Sequence, residues 1–148
     1  MTAPFEKAFL VRWGDMDFNA HLRNTAYLDL SADTRMLFFE SQGFSMREFE
    51  RLRLGPVVLK DEMTYHKELR LLETVRVTLE LAALADDGSR FRLRNTFYRP
   101  EGPLAATVTS SGAWMDLAAR KLTLPPEGLV AALGQLARTE DFETLAPR

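Results

Sequence analysis

One long apolar segment constrains the fold of this chain more than any other feature. Residues 24–42 have helical periodicity: Ala26, Leu30 and Leu37 form one stripe, a second apolar stripe runs beside it, and Gly43 supplies a C-terminal stop. Only a narrow acidic strip interrupts the apolar surface. A helix of about 19 residues is roughly 28 Å long, which is enough to line a whole domain. The remainder of the chain is therefore expected to wrap around it.

Strand patterns supply that wrapping. The predicted strands are Phe5 to Trp13, Pro56 to His66, Thr74 to Ala85, Arg90 to Phe97 and Leu104 to Asp116. Turn sequences at 86–89 and 100–103 separate the later strands, and Gly112 suggests a bulge or bend. The stretch 44–55 is expected to be irregular. A short C-terminal helix is expected after Pro126, because Leu129, Leu133 and Leu136 fall on one helical face.

This order predicts an α+β fold in which an antiparallel sheet wraps around one long helix, with a short helix at the C-terminus. The 148 residues suit a single domain spanning 1–148. In the first strand, one buried face is expected to carry Phe5, Phe9, Val11 and Trp13. The long strands Thr74 to Ala85 and Leu104 to Asp116 carry few charges that would protect an open sheet edge.

Composition excludes several classes of function. The chain contains no cysteine, so disulfides, thiolate catalysis and cysteine-ligated zinc are excluded. Its formal net charge of −2, from 19 basic and 21 acidic residues, gives no global attraction to nucleic acid or to an anionic membrane. His21 and His66 are far apart in sequence, and no metal site is predicted. The N-terminus lacks a signal-peptide pattern and no long apolar run occurs, so a cytoplasmic location is expected.

Candidate chemistry concentrates between the first strand and the long helix. Asp15 and Asp17 are two residues apart, so they share a face if the strand continues. Just beyond them, the first backbone amides of the helix need hydrogen-bond acceptors. Asn24 is the expected N-cap, with Thr25 as an alternative. The junction therefore combines a fixed negative charge with an electrophilic cluster of amides.

The sequence here, G-D-M-D-x3-H-L-x-N-x-A-Y-L from Gly14 to Leu28, resembles a motif of the hotdog-fold acyl-CoA thioesterases. The similarity is to the branch that includes 4-hydroxybenzoyl-CoA thioesterase, whose pattern is G-D-x-D-x2-G-H-V-N-N-x-x-Y-L. The resemblance implies an acyl-CoA or acyl-carrier-protein substrate, no cofactor, and a homodimer or homotetramer whose active site needs both subunits. It also implies that Asp17 is the catalytic nucleophile or general base, and that the amides near Asn24 to Tyr27 polarise the thioester carbonyl.

Two departures from that pattern affect the loop. Ala20 stands where the family usually has glycine, so a backbone that needs positive φ would be strained there. Arg23 replaces the first asparagine of the usual pair. Both changes concern loop geometry and substrate pose more than they concern Asp17.

Other candidates have a structural alternative. Asp15 is expected to hydrogen-bond the loop; His21 either orients the carboxylate, binds substrate or is purely structural; Tyr27 faces either pocket or core. Three strand arginines form either a solvated face or a contact for the phosphates of coenzyme A: Arg90, Arg92 and Arg94. Glu62, His66 and Lys67 are open candidates.

Two other functions remain open at this point. One is a hotdog hydratase or dehydratase, because the segment from Asp17 to His21 superficially resembles its D-x-N-P-x-H signature; here the proline is absent and the histidine comes one residue early. The other is a noncatalytic acyl-thioester-binding hotdog protein, which the retention of Asp17 disfavours.

Overall fold

The computed structural model describes residues 3–147. Its helices are α1 (Asn24–Ser41), α2 (Met46–Leu52) and α3 (Glu127–Gly134). Its strands are β1 (Phe5–Leu10), β2 (Leu54–Tyr65), β3 (Thr74–Ala85), β4 (Arg90–Tyr98), β5 (Leu104–Asp116), β6 (Lys121–Thr123) and β7 (Arg138–Leu145). All seven strands belong to one sheet, in the order β1-β3-β4-β5-β2, with β6 beside β5 and β7 beside β3.

The sheet is antiparallel except at one pairing. β1 pairs with the first half of β3, and β7 pairs in parallel with its second half, so these two short strands share one side of β3. β4 and β6 likewise share one side of β5, and β2 runs along its other side. One side of β2 is therefore unpaired within residues 3–147.

α1 joins the two hydrophobic clusters of the core. Near its start, Tyr27 packs edge-on against Phe97, with ring centroids 5.1 Å apart. Near its end, Phe39 packs against Trp114 at 5.9 Å. The helix thus bridges both halves of the sheet, because apolar residues cover most of its circumference. The predicted α+β architecture, a sheet wrapped around one long helix with a short C-terminal helix, is confirmed.

The segment 44–55 is partly helical, and the expectation of an irregular stretch is wrong. It contains α2, whose N-cap Ser45 accepts a hydrogen bond from the amide of Glu48 at 3.2 Å. Phe49 anchors the helix in the core, where it stacks on Trp114 with centroids 6.3 Å apart. The helix has only seven residues, so its periodicity covers barely two turns and gives a weak signal.

The first strand is shorter than predicted. β1 ends at Leu10, and Trp13 opens a 3₁₀ turn in which its side chain is 80% exposed, so placing Trp13 on the buried face is wrong. For the same reason, Asp15 and Asp17 do not share a strand face. The Asp15 carboxylate accepts a hydrogen bond from the amide of Arg12 at 3.2 Å. Such local side-chain bonds compete with strand pairing.

The free edge of the sheet also differs from the prediction. The two long strands with few charges, β3 and β5, lie inside the sheet, and β2 is the long edge strand. The sequence prediction also missed β6 and β7. β7, with the sequence RTEDFETL, lacks apolar alternation because most of its side chains are exposed or half-buried.

Candidate active site

A tight turn before α1 positions Asp17. The amide of Asp17 donates to the carbonyl of His21 at 2.9 Å, and the amide of Ala20 donates to the carbonyl of Asp17 at 3.2 Å. This closure places Ala20 at φ 66°, in the left-handed region that costs about 1 kcal/mol or more for a residue with a Cβ atom. The strain expected from alanine in place of glycine is therefore present.

The Asp17 carboxylate is held on both oxygens. Its Oδ1 accepts from the amides of Asn19 at 2.8 Å and His21 at 3.3 Å. Its Oδ2 lies 3.2 Å from His21 Nδ1, and Nε2 of the same ring lies 3.9 Å from Glu68 Oε2. The side chain of Asp17 remains 29% exposed, so a substrate can reach it. This distance fits the alternative in which His21 orients the carboxylate, and that role stays a prediction.

Asp15 has a different environment. Its carboxylate accepts from Arg12 Nε at 3.2 Å and from a second guanidinium nitrogen at 3.3 Å. These bonds lower the pKa of Asp15, against the opposing effect of burial. The carbonyl of Asp15 also accepts from the amide of Arg23 at 2.8 Å, which fixes the start of α1. This geometry agrees with the expected structural role of Asp15.

The N-terminus of α1 is not capped by a side chain. The N-cap is Arg23 and Asn24 is the first helical residue, so the prediction of Asn24 as N-cap is wrong. Thr25 does not cap either, because its hydroxyl accepts from Arg23 Nε at 2.7 Å. Among residues 3–147, the amides of Asn24 and Thr25 have no hydrogen-bond acceptor. Those N–H groups and the positive end of the helix dipole are available to a ligand.

Asp17 and the start of α1 line one pocket of about 430 Å³. Its wall consists of Asp17, His21, Leu22, Asn24, Tyr27, Tyr65, His66, Lys67 and Glu68. Burial raises the pKa of Tyr27 to about 12, with smaller contributions from nearby acidic groups. The Tyr27 hydroxyl therefore stays protonated at neutral pH and can donate a hydrogen bond. Tyr27 faces both the core and the pocket, which were its two alternatives from the sequence: its ring packs in the core and its side chain also lines the pocket.

Asp17 also borders a second cavity, of about 610 Å³. Apolar side chains dominate its lining, including Trp13, Met16 and Phe18, together with Arg70. Phe18 is fully exposed. The Asp17 carboxylate thus borders two cavities with different lining residues: tyrosines, histidines and charged side chains contribute to the first, whereas most residues that line the second are apolar.

Several sequence candidates lie outside this site. The strand arginines face β7: Arg92 pairs with Glu143 at 2.7 Å and Arg94 with Asp141 at 2.9 Å. Arg90 donates to the carbonyl of Ala146 at 3.2 Å. None of the three lines the pocket at Asp17. Contact between these arginines and coenzyme A phosphates stays a prediction.

Glu62 is also apart from the pocket, in an exposed ion pair with Lys60 at 2.8 Å. Conversely, sequence analysis missed Tyr65 and Glu68. Both follow from the path of the chain, since β2 ends beside the start of α1 and the next residues close the pocket. His66 and Lys67, which were open candidates, are pocket residues.

In the part of the chain from residue 3 to 147, no group of acidic or histidine side chains is arranged to hold a metal ion. No helix of that part has the length and apolar character needed to span a membrane.

Comparisons with known proteins agree with the geometry. The sequence profile of the Thioesterase-like superfamily matches residues 11–133. A Staphylococcus aureus protein solved in complex with coenzyme A is 24% identical, covers 100% of this chain and 91% of its own, and superposes with a TM-score of 0.84. A candidate thioesterase from Pseudomonas aeruginosa is 29% identical over 87% of this chain and 97% of its own, with a TM-score of 0.76.

A 1,4-dihydroxy-2-naphthoyl-CoA thioesterase from Synechocystis shares the fold at 14% identity, covering 89% of this chain and 96% of its own, with a TM-score of 0.79. No curated protein is a significant match in sequence. The helix-wrapped sheet is thus the hotdog fold, and the class of enzyme is thioester hydrolase. The match to the profile covers most of the chain, which belongs to the Thioesterase-like superfamily.

Proposed function

We propose that this protein hydrolyses acyl-CoA thioesters at the pocket beside Asp17, releasing a free acid and coenzyme A. The observation that carries the proposal is the placement of an oriented, accessible carboxylate and an uncapped helix N-terminus around one pocket. Thioester hydrolysis needs both groups: one to attack or to activate water, and one to stabilise the negative charge that develops on the carbonyl oxygen. The coenzyme A complex of the Staphylococcus aureus protein and the naphthoyl-CoA thioesterase support coenzyme A as the carrier.

In the proposed mechanism, the thioester carbonyl accepts hydrogen bonds from the free amides of Asn24 and Thr25, with the Tyr27 hydroxyl as an additional donor. If Asp17 is the nucleophile, it expels the thiolate and forms a mixed anhydride, which water then cleaves to the free acid. If Asp17 is the general base, it takes a proton from a water molecule that attacks the carbonyl, and that proton passes to the departing thiolate. His21 positions the carboxylate in either route.

The two cavities beside Asp17 suit the two halves of such a substrate. A thioester bound at the carboxylate must send its acyl chain one way and its pantetheine arm another. Lys67 in the first cavity and Arg70 in the second are the basic residues that line these spaces and can meet phosphate oxygens.

The proposal includes a homodimer or homotetramer. β2 has one unpaired side, and Leu59 and Tyr65 on this strand are 62% and 51% exposed. A long unpaired edge strand that exposes large apolar side chains is normally covered in a stable protein. A second copy of the chain that pairs along β2 would cover it next to the pocket that Tyr65 lines. Light scattering across dilution, read beside specific activity, tests this arrangement; a monomer with full activity would contradict it.

The functional test is a hydrolysis screen that follows free thiol. Short, long, branched and aromatic acyl groups are offered on coenzyme A and on acyl carrier protein, with wild-type protein and with Asp17→Asn as the matched control. We expect turnover of at least one acyl-CoA by wild type and strong loss in the variant. Absence of thiol release from every substrate would overturn the proposal.

A further inference from the structure

The second cavity beside Asp17 contains the two most exposed large apolar side chains of residues 3–147. These are Phe18, which is fully exposed, and Trp13, which is 80% exposed. Met16 and Leu71 supply most of the remaining apolar lining. Exposed aromatic rings that collect around one cavity mark a binding site, whereas single exposed apolar residues scattered over a surface do not. The volume of about 610 Å³ lies in the range of small-molecule sites.

Backbone hydrogen bonds hold both aromatic rings beside the carboxylate. Trp13 opens the 3₁₀ turn, and its carbonyl accepts from the amide of Met16 at 3.2 Å. Phe18 directly follows Asp17, inside the tight turn whose backbone bonds position that residue. The backbone of these two turns is therefore formed before a ligand arrives. A preformed site of this kind loses less conformational entropy on binding than a flexible one.

The basic residues of the two cavities differ in their pairing. Arg70, in the second cavity, donates to Glu68 Oε1 through Nη2 at 2.7 Å and through Nε at 3.2 Å. Lys67, in the first cavity, makes no ion pair within residues 3–147. Coenzyme A carries its phosphates on the pantetheine side of a thioester. That half is attracted to the unpaired cation of the first cavity, because a phosphate in the second would compete with Glu68 for Arg70.

We propose that the second cavity is the acyl site, that Trp13 and Phe18 determine acyl specificity, and that the substrate is a coenzyme A thioester of an extended, uncharged alkyl acid. The inference rests on the proposed function and names its substrate class. Asp17 lines both cavities, so a thioester at its carboxylate has one cavity for each half. An acetyl group ends beside the carboxylate, whereas a longer chain covers the two rings and removes their apolar surface from water.

The test is the dependence of kcat/KM on acyl length, from acetyl-CoA through butanoyl- and hexanoyl-CoA to octanoyl-CoA. In wild type, kcat/KM should rise by up to about fourfold for each added methylene group, the worth of burying that group. Phe18→Ser should flatten this rise and lower octanoyl-CoA turnover by about tenfold. Acetyl-CoA turnover should stay within about threefold of wild type. Phe18→Leu, which keeps apolar bulk, should retain most of the rise.

Three controls separate acyl recognition from other roles of the two rings. Acetyl-CoA turnover reports any displacement of Asp17 by a change at the neighbouring residue. Trp13→Ser changes the cavity without altering the turn of Asp17, and it should also flatten the rise. Leu124→Ser should leave the rise unchanged, because Leu124 is 59% exposed but lines a separate small cavity. Equal loss of acetyl- and octanoyl-CoA turnover in Phe18→Ser would overturn the inference, since Phe18 would then act only on the turn.

A second copy of the chain is the competing occupant of this cavity. Light scattering on Phe18→Ser tests for it. If the assembly dissociates while the dependence on acyl length stays as in wild type, the ring belongs to a contact between copies and the inference is wrong.

Binding separates this inference from the proposed function. Calorimetry of acetyl-CoA and octanoyl-CoA with Asp17→Asn, and with Asp17→Asn combined with Phe18→Ser, measures recognition without turnover. Tighter binding of octanoyl-CoA that depends on Phe18 supports the acyl site even if no thioester is hydrolysed, in which case only the proposed function fails. Hydrolysis of acyl-CoA by wild type with no dependence on chain length overturns the inference alone.

Discussion

The two ends of α1 are built on opposite principles. At its start, the helix meets a polar turn with a left-handed alanine, two amides without acceptors and a half-exposed carboxylate. At its far end, it meets an aromatic cluster in which Trp114 contacts three phenylalanine rings. The far end has paired its polar groups and buried its rings, whereas the near end keeps strain and unsatisfied donors. Tight packing is thus concentrated at one end of the helix, and the proposed chemistry at the other.

Among the variants that test this division between the two ends of α1, Trp114→Ala at the far end is expected to have the largest effect. Trp114 is fully buried and its indole N–H donates to the carbonyl of Gly88 at 3.2 Å. Loss of the ring and this bond should lower the free energy of unfolding by about 3–5 kcal/mol, measured by urea titration. Activity per folded molecule should stay near wild type. If the variant does not fold, Trp114→Phe should show a smaller loss of stability with the same unchanged activity.

At the near end, Asp17→Asn should have the converse effect. The amide keeps the shape of the side chain and an oxygen for the backbone donors of the turn, but it removes the charge. We expect kcat/KM to fall by about a hundred- to ten-thousandfold. The melting temperature should change little. A purified variant with wild-type turnover would remove Asp17 from the mechanism and break the division between the two ends.

Asp15→Asn tests whether every carboxylate of the near end is catalytic. Its bonds to Arg12 lower the pKa of Asp15 below the unfolded value, so the stabilisation is present above the unfolded pKa and is lost as pH falls through the folded pKa. The variant should lose about 1–2 kcal/mol of stability at pH near 7, a discounted value because Arg12 is largely exposed. That deficit should vanish in acid. A large loss of rate with unchanged urea unfolding would instead assign Asp15 to the chemistry.

The sequence could predict the features of the fold that local patterns determine. The helix, the alternating strands and the turn at 86–89 follow from local patterns, and the structure confirms them. Gly112 was expected at a bulge or bend; the bulge is in β2, opposite Gly112, whose added Cβ would lie 2.5 Å from the carbonyl oxygen of Val57. β7 was missed because its pairing with β3 depends on side chains distant in sequence.

For the site, the motif brought Asp17 and His21 to one loop, as expected, and the resemblance supplied their proposed roles. The prediction of Asn24 or Thr25 as the N-cap is wrong because Arg23 occupies that position. The Arg23 guanidinium also donates a hydrogen bond to the Thr25 hydroxyl. Glu68 carries no sequence signal, since only the closure of the sheet brings it within 3.9 Å of His21. Residues positioned by contacts between distant segments lie beyond local pattern analysis.

The smallest expected effect is also at the near end. Ala20→Gly removes the cost of holding an alanine at φ 66°, while it adds backbone entropy to the unfolded chain. Relief of strain should prevail, because a left-handed conformation costs a non-glycine residue about 1–2 kcal/mol. We expect the free energy of unfolding to rise by up to about 1 kcal/mol, with kcat/KM within about threefold of wild type.

Ala119→Gly is the control for this last variant, because Ala119 is an exposed turn alanine that does not itself have positive φ. The control should be neutral or slightly destabilised, since it gains only unfolded-state entropy. If Ala20→Gly loses as much stability as Ala119→Gly, then Ala20 is not strained in its left-handed conformation. A stabilised Ala20→Gly with much slower turnover would mean that the stiffness of alanine holds Asp17 in position, so that the near end uses its strain for catalysis.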